Sequence, residues 1–191
     1  NAAAPFRRVT MSTDLGAISQ ETTFMGEDEA GRPCIYFADP IRGPYRYGAS
    51  GFQWLGYDVR DRVENWNLGA SSRVTAGCWD PELRAAIFGN ATGVQNTIQE
   101  FLVFFAREAR PTVTEGVRGG WVRWAEASPS GVISMAMLPE TIGASMSYTL
   151  KPYFGTTTIL RRWNDDSATQ DGSTSYQSYV TSKAYDVGEM F

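Results

Sequence analysis

Carboxylates are the side chains best suited to chemistry in this chain, because its 191 residues include no histidine. That absence excludes Ser-His-Asp and Cys-His catalysis, histidine metal sites and imidazole pH switches. Glycoside hydrolysis needs only two carboxylates about 5–9.5 Å apart. Three groups of acids could supply them: Glu27, Asp28 and Glu29; Asp58 and Asp61; Asp165 and Asp166. Neighbouring acids in turns are typical of solvated charge, so the sequence favours a protein without catalytic activity.

Other motifs for chemistry are missing from the sequence. The acids near Asp171 and Gly172 lack the D-x-[DN]-x-[DN]-G spacing of a calcium loop. No G-x-x-x-x-G-K-[ST] or G-x-G-x-x-G phosphate loop occurs. Ser50 lies in Gly-Ala-Ser-Gly, which lacks the G-x-S-x-G spacing of a nucleophile elbow and has no imidazole base. We therefore expect no cofactor and no metal ion.

The strongest binding signal lies in residues 42–54, where Arg, Tyr and Trp alternate with Gly and Pro. These residue types dominate binding hot spots because each combines a large contact area with a polar group. On a Gly/Pro-rich loop they could stack on a sugar ring or contact a partner. The predicted binding residues are Arg42, Tyr45, Arg46, Tyr47 and Trp54, with Trp163 and Asp165 as a second candidate at a polar loop tip. The alternative is that Tyr45, Phe52 and Trp54 anchor the loop in the core.

Charge and cysteine content limit the partners further. The net charge of −4 and a pI of about 4.9 give no basic footprint for nucleic acid. The longest dense apolar stretch, residues 101–106, is far shorter than the roughly 20 residues of a membrane span. Cys34 and Cys78, the two cysteines, lie in strand-like neighbourhoods. Buried free thiols are favoured there, and a disulfide between them remains the alternative.

The elements that must position these residues are predicted to be short strands. Runs of β-favouring residues recur between Gly, Pro, Asn, Asp and Ser, as in a single, mainly β domain over residues 1–191. We expect an antiparallel barrel or sandwich with long loops and little helix. The candidate strands are 6–10, 34–38, 52–57, 73–79, 84–88, 121–126, 132–137, 146–151, 156–162 and 176–182.

Some segments have mixed signals. Between Val94 and Ala106, apolar residues follow a helical stripe, yet Phe-Leu-Val-Phe-Phe at 101–105 is also typical of a strand buried on both faces. Aromatic and β-branched enrichment favours the strand. Residues 59–66 predict a short helix or turn, with Val59, Val63 and Trp66 on one face. Residues 116–120 predict a hairpin turn, and residues 164–173 an exposed loop.

The chain as a whole resembles the capsid spike, or projection, domain of astroviruses. The resemblance rests on a Ser/Thr/Gly-rich texture with 6 Trp and 9 Tyr, and on stretches such as 37–44 and 131–139. It implies a β-barrel-like core with decorating loops, a homodimer, and a role on the virion surface in host-cell receptor attachment and antibody recognition. Residues 1–5 would then be a ragged end of an excised fragment. The alternatives are a carbohydrate-binding, lectin-like β module and a carboxylate-dependent glycan-active enzyme.

Overall fold

The computed structural model describes residues 12–64, 66, 75–91, 97–112, 116–125, 132–141, 148–156, 160–163, 170–171 and 174–175. Within them the chain forms fifteen strands, one α-helical turn and three short 3-10 turns. The strands are β1 Phe24–Glu27, β2 Pro33–Asp39, β3 Gly43–Gly48, β4 Gly51–Trp54, β5 Thr75–Asp80, β6 Ala85–Asn90, β7 Glu100–Phe105, β8 Arg110–Pro111, β9 Val117–Arg118, β10 Trp121–Ala125, β11 Ser134–Thr141, β12 Tyr148–Gly155, β13 Leu160–Arg162, β14 Gln170–Asp171 and β15 Thr174–Ser175. The helix α1 spans Arg60–Val63, and the 3-10 turns span Gln20–Thr22, Gly56–Val59 and Ala106–Glu108.

Three antiparallel sheets make up most of the described fold. The first sheet has the order β1-β2-β3-β4, the second β10-β7-β6-β5 and the third β11-β12-β13. Two small hairpins, β8–β9 and β14–β15, complete the pairing. The described strands form open sheets, so the sandwich is the observed one of the two predicted architectures.

The second sheet is the middle layer, because its two faces bury two different cores. One face packs against the first sheet, and its buried side chains include Phe88, Leu102 and Phe104. The opposite face carries Ile87 and Val103, and Met135, Met137, Phe154 and Trp163 from the third sheet and its end pack there. Strands β6 and β7 are therefore covered on both sides. This confirms the two-sided strand expected at 101–105 over the helical alternative.

The first core is centred on Tyr36 of β2, which has no exposed surface. Its ring stacks between Phe24 and Trp79, with centroid distances of 5.7 and 5.6 Å. Burial raises the pKa of the Tyr36 hydroxyl. The hydroxyl donates a 2.7 Å hydrogen bond to the Glu27 carbonyl, so this buried polar group has a partner. Aromatic rings from both sheets thus lock the two layers face to face.

Each of three strand-to-strand turns is held by a buried aspartate. The Oδ1 atom of Asp39 accepts hydrogen bonds from the backbone N–H groups of Ile41 and Arg42, both at 2.9 Å. Asp80 repeats the arrangement with the N–H groups two and three residues later, and Asp28 does so two and four residues later. Asp followed by Pro, as at 39–40 and 80–81, is a strong turn signal because the carboxylate replaces a missing backbone acceptor.

The sequence-based expectations compare with these elements as follows. Every predicted strand within the described residues overlaps an observed one, and Val59, Val63 and Trp66 are buried together beside α1, as predicted. The predicted Gly/Pro-rich loop at 42–54 is wrong, because this stretch forms strands β3 and β4. Strands β1 and β8 were not predicted, and the hairpin turn predicted at 116–120 is wrong, because Val117–Arg118 form strand β9 and pair with β8. The candidate strands 6–10 and 176–182 lie outside the described residues, as does most of 164–173, at whose end β14 begins.

Candidate functional site

Strands β3 and β4 place the predicted binding residues on two opposite faces of the first sheet. Tyr45 pairs with Trp54 and Tyr47 with Phe52 across the hairpin, so these four rings lie on the outer face. Arg46 lies between the two tyrosines and points to the opposite, inner face. The alternation of the strand thus divides the predicted set, and only its outer members share a surface.

A cleft of about 430 Å³ opens beside this outer face. We call it the Arg42 cleft, and its lining residues are Ile41, Arg42, Tyr45, Trp54, Arg60, Val63 and Glu64. It brings together three predicted residues, Arg42, Tyr45 and Trp54. Ile41, Arg60 and Glu64 were not predicted from the sequence as cleft residues. Arg60 and Glu64 could have been identified, because they lie off the predicted buried face of residues 59–66 and are therefore expected to be exposed.

Gly43 allows α1 to form one wall of the cleft. Its φ of +77° lies in the left-handed region, which favours glycine. A Cβ atom at this position would lie only 2.5 Å from Cγ1 of Val63. The absence of a side chain lets Val63 pack directly on the start of β3, and this contact fixes α1 beside the turn that carries Arg42.

Trp54 is a half-buried ring held in a fixed orientation. Its Nε1 donates a 2.9 Å hydrogen bond to the Arg42 carbonyl, and its ring meets Tyr57 edge-on with centroids 6.0 Å apart. Gly116, with φ of +83°, lies so close behind it that a Cβ atom there would be 2.3 Å from the Trp54 carbonyl oxygen. The hydrogen bond to the Arg42 carbonyl and the contact with Tyr57 fix the orientation of the indole, while Gly116 packs against the backbone of Trp54.

Arg42 is the exposed cation of the cleft. The neighbouring Tyr45 side chain, and then the carboxylates of Asp39 and Asp14, raise the pKa of its guanidinium further. No carboxylate among the described residues lies within ion-pair distance of it. On the opposite wall, Arg60 and Glu64 form an exposed ion pair of 3.0 Å. Among the described residues the cleft thus presents one cation without a direct ion pair and one neutralised pair.

Tyr45 contributes only its polar end to this cleft. Its ring is 6 % exposed and stacks on Phe37 with centroids 5.6 Å apart. The alternative reading of Tyr45 as an anchor of this segment therefore describes most of its side chain. Tyr47 is half-buried against Phe52, 4.6 Å away, farther along the same face.

Arg46 and Trp163 occupy interior positions. Arg46 is 1 % exposed: its Nε donates to Gln53 at 2.7 Å, and its Nη2 lies 2.6 Å from Glu29 Oε2, in ion-pair contact but off hydrogen-bond geometry. Trp163, 4 % exposed, stacks on Trp124 in the second core with centroids 4.5 Å apart. Because Arg46 and Trp163 expose almost no surface, a binding partner could contact very little of either side chain, and this disfavours the binding role predicted for them. Asp165 lies outside the described residues.

Comparison with protein-family models, with curated proteins and with solved structures found no match.

The described acids in the groups predicted from sequence take part in structural contacts. Glu27 pairs with Arg84 at 3.1 Å, Asp28 with Arg32 at 2.7 Å, and Glu29 with Arg46 as above. Asp58 accepts a 2.6 Å hydrogen bond from the Gly119 N–H. Among the described residues, no three Cys, Asp or Glu side chains gather as a metal site would require. These contacts account for acids that the sequence presented as catalytic candidates.

A second cleft of about 380 Å³ lies between the edges of the first and third sheets. Its lining is almost entirely apolar and includes Met25, Trp79, Met137 and Leu150. Cys78 borders it as a buried free thiol, and Cys34 is also free and buried in β2. Burial raises the pKa of both thiols. No helix in the described part of the chain is long and apolar enough to cross a membrane.

Proposed function

We propose that this domain is a non-catalytic attachment module, the surface projection of a virus capsid, and that it binds a host-cell receptor through the Arg42 cleft. Its place is then the virion surface, where antibodies also recognise it, and its working form a homodimer. The module acts by complementary shape and contact alone. No cofactor, nucleic acid or membrane insertion enters this function.

The observation that carries the proposal is the pairing of Arg42, on the turn before β3, with Trp54, at the end of β4. Arg and Trp are the residue types that contribute most to binding energy when a partner desolvates them. Here one guanidinium without an ionic partner among the described residues lies beside one fixed indole. The three-layer core beneath them supports a stable display surface, since variation on its outer face leaves both buried cores intact.

The lining of the two clefts supports a role in binding over one in hydrolysis. The Arg42 cleft contains one carboxylate, Glu64, which is engaged by Arg60, and the apolar cleft is lined by none. Glycoside hydrolysis requires a pair of carboxylates facing a shared substrate. A carbohydrate-binding module remains the second candidate, favoured by the partly exposed Trp54 ring, which a sugar face could cover.

Binding of the fluorescently labelled domain to a panel of cultured cell lines tests the proposal. We expect Arg42→Gln and Trp54→Ala each to reduce cell binding at least tenfold, because each removes one main contact of the cleft. Arg110→Gln changes an exposed arginine on β8 that does not line the cleft, and should bind like the unmodified domain. Circular dichroism spectra identical to the parent's establish that the variants are folded. Unchanged binding of the folded Arg42→Gln and Trp54→Ala variants contradicts the proposal.

A further inference from the structure

We infer that the Arg42 cleft takes a carboxylate-bearing pyranose, an acidic sugar at the end of a glycan, with Arg42 holding the carboxylate and Trp54 stacking on the sugar ring. This inference deepens the proposed function and rests on it for its biological setting. It assigns to the cleft a ligand class that can be tested without a cell or a receptor protein.

The charge of the cleft is the first step. The whole chain carries a net charge of −4, yet the cleft has two arginines against one glutamate. Because Glu64 already pairs with Arg60, and Asp39 and Asp14 act on Arg42 only from beyond ion-pair distance, the guanidinium of Arg42 is the group that can attract an anion. A guanidinium is planar and offers parallel N–H donors that match the two oxygens of a carboxylate. The cleft therefore selects an anion with that flat geometry.

The second step is preorganisation. The hydrogen bond between Trp54 Nε1 and the Arg42 carbonyl ties the ring and the backbone of the cationic residue together at 2.9 Å. Tyr45 lines the cleft beside Arg42 and is itself held by stacking on Phe37. Fixing the indole and the backbone of Arg42 before binding removes part of the entropy that binding would otherwise cost. A ligand that presents a flat apolar ring face and an acid on the same ring matches this pair.

The opposite wall completes the match to a sugar. Glu64 can accept hydrogen bonds from hydroxyl groups. Beside Arg42, Ile41 is 82 % exposed and provides an apolar surface for an acyl substituent. The volume of about 430 Å³ suits a small ligand. An alternation of acid, ring, hydroxyl and apolar contacts is typical of carbohydrate recognition, whereas a purely apolar ligand would leave Arg42 without a partner.

Two sugars that differ only in the acid provide the test: methyl β-D-glucuronide and methyl β-D-glucoside. Each is titrated into the full chain while the indole N–H of Trp54, assigned by the Trp54→Phe variant, is followed by ¹H–¹⁵N NMR. We expect the glucuronide to bind at least fivefold more tightly than the glucoside. Arg42→Gln should remove that preference, Arg42→Lys should restore part of it, and Arg110→Gln should leave it unchanged. The α-methyl glycoside of N-acetylneuraminic acid, titrated in parallel, measures the contribution of the apolar wall.

The outcomes separate this inference from the proposed function. Equal binding of both methyl sugars, no shift of the Trp54 signal with any acid, or a preference that survives Arg42→Gln overturns the acidic-sugar inference. If Arg42→Gln also abolishes cell attachment in that case, the attachment function stands with a different ligand. If the acidic sugars bind as expected but the Arg42→Gln domain still binds cells as well as the parent domain does, the ligand assignment stands and the attachment function falls.

Discussion

At the level of single residues, the buried ion pair of Arg46 and Glu29 places charge inside the packing face of the first sheet. Arg46 has a side chain 2 % exposed, and that of Glu29 is 25 % exposed. One guanidinium nitrogen, Nη1, has no hydrogen-bond partner among the described residues. Such a pair is costly to desolvate but more costly to break, because removing one member leaves the other buried without its countercharge.

Replacing Arg46 should therefore destabilise the domain more than a surface substitution does. We expect Arg46→Met to lower the free energy of unfolding by about 2–4 kcal/mol, at or below the usual range for buried pairs because Glu29 retains some solvent. The double variant Arg46→Met with Glu29→Gln should recover part of the loss. Urea unfolding followed by circular dichroism measures both. A single variant as stable as the parent means that the pair makes no net contribution.

The same residue shows where sequence reasoning stops. From the sequence, Tyr45, Arg46 and Tyr47 alike are assigned to the binding surface. The structure buries Arg46 on the inner face of the sheet, where its ion-pair partner Glu29 comes from the distant β1–β2 turn. No local pattern encodes that pairing. Arg42, in contrast, follows the Asp-Pro turn signal and is exposed, so its presence in the candidate site was predictable from its own segment.

At the level of elements, the turns that begin with Asp39 and Asp80 have the same structure. In each, an Asp-Pro pair follows the end of a strand, the carboxylate accepts hydrogen bonds from two backbone N–H groups, and a residue with positive φ lies at or just before the start of the next strand. That last residue is Gly43 in one turn and Arg84 in the other. The first turn also carries Arg42, so the same device that connects β2 to β3 positions the candidate site.

Removing the carboxylate should distinguish the structural role of the turn from its functional role. Asp80→Ala should cost about 1–2 kcal/mol of stability, since two partly buried N–H groups lose their acceptor. Asp39→Ala should cost a similar amount and also weaken ligand binding at the Arg42 cleft, whereas Asp80→Ala should not. Asn at either position keeps an acceptor oxygen and should cost less. Thermal unfolding and the glucuronide titration measure the two effects, and equal binding by Asp39→Ala and Asp80→Ala contradicts the positioning role.

An element can be predicted from sequence when its own residues determine its structure, and cannot when pairing with distant strands determines it. Strand β7 was identifiable because five consecutive apolar residues, Phe-Leu-Val-Phe-Phe, can be satisfied only by burial on both faces. Strand β3 was not, because its Gly and Pro residues are turn formers in isolation. It is a strand because β2 and β4 pair with it from both sides. The sandwich class thus followed from local pattern, while the hairpin that carries the site depended on tertiary pairing.

At the level of the whole molecule, the middle sheet makes the two cores one structural unit. Ile87 and Phe88 are consecutive in β6 and essentially unexposed, yet they face different cores. If β6 is displaced from its packing in one core, its packing in the other core is disrupted too, because both residues belong to the same short stretch of backbone. The first sheet, which carries the Arg42 cleft, should therefore depend for its stability on packing at the third sheet.

Truncating these two neighbours tests that coupling. Ile87→Ala should cost about 2–5 kcal/mol and Phe88→Ala about 3–5 kcal/mol, from lost burial and the cavities left behind. Because the middle layer is common to both cores, each variant should still unfold in one transition, at a lower temperature, with circular dichroism and tryptophan fluorescence changing together. An Ile87→Ala variant that loses the third sheet in an early, separate transition, while the glucuronide titration remains unchanged, would show that the layers fold independently and that the cleft needs only the first sandwich.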